Sequence, residues 1–135
     1  MNKIFIISML IWANLSFAQV QTLRVDYYHT GDVNQEVFSL DRVVIEPLPW
    51  SGSSAQSIDN LNRGKYRFIV KDKVSSEILF TRSFSSIYGE WETTGEAKKI
   101  KRTFHESLRF PQPERRVKTT IEKPDGKHQC QVIWQ

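Results

Sequence analysis

A single cysteine, Cys130, stands in the whole chain, so no internal disulfide can brace it. Its place in a run of alternating apolar residues reads as a buried, unreactive thiol. Charge of one sign is also scarce in excess. Nineteen Lys and Arg against fifteen Asp and Glu leave a net charge of +4, which is not a nucleic-acid signature. Lys98, Lys99, Lys101 and Arg102 cluster, as do Arg115, Arg116 and Lys118, but in extended chain such residues divide between two faces and mostly solvate them. Long hydrophobic runs are limited to Ile4 to Leu15, short of the roughly 20 residues a bilayer span needs. With Met1-Asn2-Lys3 before it and Ser16-Phe17-Ala18 after it, this run predicts a secretory signal peptide over 1–18, with Gln19 as the mature N-terminus. Export implies an oxidising compartment, in the periplasm, at the cell surface or outside the cell. No cysteine follows the cleavage point, so a lipoprotein anchor has no thiol, and no stable membrane anchor is expected.

Catalytic patterns are missing as well. The chain has no Gly-x-Ser-x-Gly elbow and no glycine-rich phosphate loop. The run His105-Glu106-Ser107-Leu108-Arg109 begins like a zinc-protease helix, but a second ligand is required where Arg109 stands, and a guanidinium cannot take that role. Alternation around it reads as a strand. Histidines 29, 105 and 128 sit in or beside different strands or turns, and they read as ordinary surface or turn residues. No catalytic residue, metal ligand or cofactor is expected in this chain.

What remains is a series of short alternating segments. Leu23, Val25 and Tyr27 fall on one face of a first strand, with Arg24, Asp26 and Tyr28 on the other. His29-Thr30-Gly31-Asp32 is read as the turn that follows. Phe38 and Leu40 alternate, but the phase has changed by Val43 and Ile45, which predicts two short strands or one with a bulge near Asp41. Pro47-Leu48-Pro49 closes that segment. Trp50 to Asn62 reads as a surface connection. Tyr66, Phe68 and Val70 mark the clearest strand. Asp72 to Ser76 makes a hairpin loop, and Ile78, Phe80 and Phe84 return with Arg82 at an inward position.

Further on, Ile100, Phe104, Leu108 and Phe110 share a parity with Arg102 and Glu106. The two charged residues lie about 13 Å apart in a strand, so each needs a partner elsewhere or an escape to solvent. Val117, Thr119 and Ile121 form another strand, Pro124-Asp125-Gly126 a tight turn, and Cys130, Val132 and Trp134 a last strand. The fold expected is all-β, an antiparallel two-sheet sandwich of about seven to eight strands, immunoglobulin- or jelly-roll-like, over 19–135.

One stretch breaks the alternation, from Phe84 to Ala97. It holds Tyr88, Trp91, two glycines and three glutamates without a period, the composition of a specified loop. Only Thr93 to Lys99 suggests a helical turn. As a site, Tyr88 and Trp91 would offer flat faces to a sugar or peptide side chain, with Glu90 and Glu92 as hydrogen-bonding partners. As structure, the aromatics would plug the open end of the sandwich while Gly89 and Gly95 supply backbone angles other residues resist. Both readings stand on the same residues, and the second is favoured.

The run Ser86-Ile87-Tyr88-Gly89-Glu90-Trp91-Glu92-Thr93-Thr94-Gly95-Glu96-Ala97, followed by Arg102-Thr103-Phe104-His105-Glu106-Ser107-Leu108-Arg109-Phe110-Pro111, resembles the N-terminal domain of the IgA-peptidase family of bacterial zinc metallopeptidases. Leu23-Arg24-Val25-Asp26-Tyr27-Tyr28-His29-Thr30-Gly31, Phe38-Ser39-Leu40-Asp41-Arg42-Val43 and Glu46-Pro47-Leu48-Pro49-Trp50 agree. The resemblance implies a β-sandwich that precedes a separate catalytic domain, with zinc and its His-Glu-x-x-His motif in that following domain. This chain would then be a non-catalytic accessory domain, partnered by the C-terminal metallopeptidase domain. The sequence stops at Gln135 in or at the end of a strand pattern, which predicts truncation before the catalytic part. The alternative is a stand-alone extracytoplasmic module binding a glycan or a protein.

Overall fold

The computed structural model describes residues 19–124 and 130–134. The signal peptide predicted over 1–18, the turn predicted at Pro124-Asp125-Gly126 beyond Pro124, His128 and the side chain of Cys130 lie outside the described residues. Among the described residues, seven strands and one short helix follow in the order β1 (Gln21–Gly31), β2 (Glu36–Pro49), β3 (Tyr66–Asp72), β4 (Ile78–Phe84), α1 (Ile87–Trp91), β5 (Arg102–Pro111), β6 (Val117–Pro124) and β7 (Cys130–Trp134). They form two antiparallel sheets, β2-β1-β5 and β4-β3-β6-β7. The fold is the all-β, two-sheet architecture that the alternation predicts.

Between the sheets, Val25, Tyr27, Phe68, Val70, Phe80 and Phe110 form part of one buried apolar cluster. Phe68 stacks on Phe80 at 5.7 Å between ring centroids, and Phe110 from the opposite sheet lies 6.1 Å from Phe68 and 6.3 Å from Phe80. Each such ring contributes roughly 1.5–3 kcal/mol by leaving water, so the aromatic row is a main source of cohesion between the layers.

The change of phase in the second segment is one continuous strand with a bulge. Asp26 pairs with Arg42 and Tyr27 with Leu40, which leaves Asp41 as the extra residue. Because directly opposed residues share a face, Leu40, Val43 and Ile45 all lie on the core side, opposite Tyr27, Val25 and Leu23.

Three local readings are corrected. His29, Thr30 and Gly31 continue β1, and the turn is made by Asp32 to Gln35, where Asp32 Oδ1 accepts from the backbone N–H of Asn34 and Gln35. A pairing partner on each side holds His29 to Gly31 extended, Phe38 to Glu36 on β2 and Phe104 to Arg102 on β5, which outweighs their turn character. The helix of the central stretch is α1, ahead of the predicted Thr93 to Lys99, where only a single turn closes, the Ile100 N–H donating to the Glu96 carbonyl at 3.1 Å; Ser86 caps α1, its hydroxyl accepting from the Gly89 N–H at 3.0 Å. Neither Gly89 nor Gly95 has positive φ. Gly89 is there for space, since a Cβ would stand 3.1 Å from the Tyr66 ring.

Candidate functional site

The central stretch is positioned by two partners, the cap at Ser86 and a carboxylate from the sheet. Glu106 lies on the core-side parity of β5 among Phe104, Leu108 and Phe110, and its Oε1 accepts from the Tyr88 N–H at 3.2 Å. α1 is thereby pinned across the end of the sandwich. Its Tyr88 is fully buried, and the Tyr88 hydroxyl donates toward the carbonyls of Asp32 (2.8 Å) and Gln35 (3.1 Å) in the β1–β2 turn. The same closeness requires glycine at position 31, where an added Cβ would stand 2.5 Å from the Tyr88 hydroxyl and 2.0 Å from the Gln35 carbonyl oxygen.

His29 occupies the centre of this arrangement, and it is buried instead of lying at the surface or in a turn. Its imidazole is stacked between Tyr88 at 3.7 Å and Phe38 at 4.0 Å. Nδ1 is 3.2 Å from Glu106 Oε2 and Nε2 is 3.0 Å from Glu36 Oε2, so each ring nitrogen faces a carboxylate. Burial alone pushes the imidazole pKa down, but hydrogen bonds to Glu106 and Glu36 outweigh it and the pKa is raised. A doubly protonated ring donates to both acids, and this is the form the geometry selects.

Glu36 gathers further donors. The Tyr66 hydroxyl donates to Oε2 at 2.8 Å and Lys123 Nζ to Oε1 at 2.6 Å. Burial raises its pKa, yet the bonds from His29, Lys123 and Tyr66 prevail and lower it to about 2. Glu106 is likewise lowered, with burial opposed by His29, the Tyr88 N–H and Tyr27. Burial first, and then Glu36, push the Tyr66 phenol upward. Lys123 links strand β6 to β2 across the layers, and it also lies 3.6 Å from Glu92. Glu92 in turn pairs with Lys65, whose Nζ donates to the Gly89 carbonyl at 3.0 Å.

Of the four residues singled out from the sequence, Tyr88 and Trp91 are buried, Glu92 is largely covered within ion pairs, and Glu90 faces solvent. Trp91 packs on Phe104 at 5.5 Å, and its indole Nε1 donates to Glu96 Oε2 at 2.7 Å. The ring faces that a sugar would stack on are covered by His29 and Phe104. A cavity of about 80 Å³ opens beside Glu36, Glu92 and Lys123, large enough for a few waters. The charges are arranged to satisfy one another, and the arrangement clamps α1, the β1–β2 turn and β6 together.

The meeting of His29, Glu36, Tyr66 and Lys123 escaped the sequence reading, which placed His29 at the surface or in a turn and Tyr66 simply in a strand. The signal for His29 was its parity with Leu23, Val25 and Tyr27, the same core-side placement that singled out Glu106. Arg102, the other charge on that parity, is half exposed and reaches Glu96 at 3.0 Å.

On the outer face of the three-stranded sheet, Asp26, Asp41 and His105 bring one donor atom each within 4.8 Å of one another. Asp26 is already enclosed by two guanidinium groups, Arg24 Nε at 2.8 Å and Arg42 Nε at 2.9 Å. Although burial opposes it, these bonds hold its pKa below the usual range. Two fixed positive charges at the carboxylate make this donor set unsuited to a divalent cation. His105 stands on strand β5, not on a helix, and its Nε2 is 3.2 Å from Asp41.

A comparison with curated proteins finds no match. A family model described as Peptidase M64 N-terminus matches residues 15–135.

Proposed function

Because the chain belongs to the peptidase M64 N-terminal family, we propose that it is the non-catalytic accessory domain of an exported zinc metallopeptidase, packing against the protease domain and positioning it. Membership in this N-terminal family implies a linked catalytic domain. The observation that carries the reading is the extent of the match, which runs through every described strand. The site geometry is compatible with it. The family-like stretch around Tyr88 and Trp91 is turned inward to lock one end of the sandwich, and its conspicuous residues act in holding shape. Zinc, in this reading, belongs to the linked domain.

The test is calorimetry of the full-length exported protein. Phe68→Ala removes a buried ring from the sandwich and costs it about 3–5 kcal/mol. If the two domains pack together, the peptidase transition moves down with that of the sandwich while zinc content stays unchanged. Two independent transitions, with the peptidase one unmoved, would overturn the packing role. N-terminal sequencing of the mature protein is expected to begin at Gln19, and an intact Met1 would overturn export through this signal.

A further inference from the structure

α1 closes the end of the sandwich at which β1 stops and β5 starts. The opposite end, where β1 begins at Gln21, β5 stops at Pro111 and the β3–β4 hairpin turns after Asp72, carries no such helix among the described residues. A cavity of about 370 Å³ opens there instead, within the size range of small-molecule sites. Its floor is the core itself. Val70, Phe80 and Phe110, each at most 2% exposed, border it from both sheets, and Val20, Pro111 and Pro113 supply apolar walls. Those walls are held in place, because the proline rings fix φ at both positions and between them the Gln112 N–H donates to the Gln21 carbonyl at 2.8 Å. Water in such a space finds few polar partners, so an apolar body that displaces it is favoured.

The rim sets the charge of the occupant. Arg115 stands 3.5 Å from Asp72 and 3.8 Å from Glu77. The Asp72 carboxylate accepts from the N–H groups of Ser75 and Val74, which favours the anion, and it balances the guanidinium. Glu77 and Glu114 remain, both exposed, and Glu114 has no ion-pair partner among the described residues. The mouth is therefore acidic above an apolar floor. We propose that this end of the sandwich binds a small amphipathic amine, its apolar body seated on Phe80 and Phe110 and its ammonium group turned outward to Glu77 and Glu114. The body extends the aromatic row of Phe68, Phe80 and Phe110 and fills this end as α1 fills the other. The ammonium stays near the surface, where pairing with the carboxylates needs little desolvation. A carboxylate in the same pose would meet like charge. Every residue that forms the site belongs to the sandwich, so the inference does not depend on the accessory reading.

Isothermal titration calorimetry on the full-length protein tests the assignment with two probes of matched shape and opposite charge, phenethylamine and 3-phenylpropionate. The amine is expected to bind with a Kd on the order of 1 mM, the affinity open to a ligand of this size, and about fivefold more tightly than the acid. Glu77→Gln combined with Glu114→Gln should weaken amine binding about threefold and narrow the gap between the probes. Val20→Trp puts a larger side chain at the mouth and should abolish amine binding. All three positions are exposed, so the fold is retained in both variants, which circular dichroism verifies. Failure of the amine to saturate, binding of the acid as tight as that of the amine, or amine binding unchanged in either variant would each overturn the proposal.

Discussion

The imidazole of His29 lies 3.7 Å from the ring of Tyr88, nearly parallel to it, and this contact joins the middle strand of one sheet to the helical turn that closes the sandwich. Around the pair, Glu36 and Glu106 face the two ring nitrogens. A buried cation held by two anions is costly to break from one side, because the partner charges are then left unmatched.

Replacing His29 by Phe keeps a flat ring between Phe38 and Tyr88 but removes the cation. The expected loss is about 3–5 kcal/mol, seen as a lower denaturation midpoint with an unchanged slope. His29→Phe combined with Glu106→Gln should recover part of that loss, since the substitution removes one of the stranded charges.

The acid limb of stability follows from Glu36. Its folded pKa of about 2 lies below the ordinary 4.5, so the stabilisation is fully present above 4.5 and disappears as pH falls toward 2. The shift corresponds to something on the order of 3 kcal/mol. Glu106 works in the same direction. His29 has the opposite sign: its pKa is raised above 6.5, so its contribution is complete below 6.5 and is lost as pH rises through the higher folded value. Urea midpoints measured across the pH range should therefore peak between these limits. The alkaline decline should vanish in His29→Phe.

Removing the Tyr88 hydroxyl isolates its bonds from its ring. Tyr88→Phe leaves the stack on His29 but strips a donor from the Asp32 and Gln35 carbonyls, for an expected cost of about 1–2 kcal/mol by thermal unfolding. Tyr88→Ala opens a cavity as well and should cost about 3–5 kcal/mol.

Two glycine substitutions should separate close approach from mere loop composition. An added Cβ at Gly95 meets nothing within 4 Å, so Gly95→Ala should fall within about 0.5 kcal/mol of wild type. Gly31→Ala drives a methyl into the Gln35 carbonyl and the Tyr88 hydroxyl. It should cost more than Tyr88→Phe in the same thermal measurement, because the turn and the helix must both give way.

The strands were legible because period-two alternation is imposed by the pleat itself, and even the break near Asp41 carried its meaning as a bulge. Glu106 was legible as an anomaly, a charge on an apolar parity that needed a partner. Its partner was harder to see, because His29 sits beside a Thr-Gly-Asp sequence that reads locally as a turn while pairing on both sides keeps it in β1. Glu36 and Lys123 were hidden for another reason. Their meeting depends on how the two sheets are stacked, and no local pattern encodes that distance. Tyr88 and Trp91 stood out by composition, but only the packing of α1 against β5 shows which way their rings turn.

The middle strand of the smaller sheet takes one neighbour from the next segment in sequence and the other from β5, with β3, β4 and α1 in between. As synthesis proceeds from the N-terminus, β1 and β2 can form a hairpin early, but the seam with β5 stays open until β3, β4 and α1 have appeared as well. Such distant pairings slow the search for the final topology. Assembly of this domain should therefore be a late, concerted event, with an unfinished ladder awaiting its last strand.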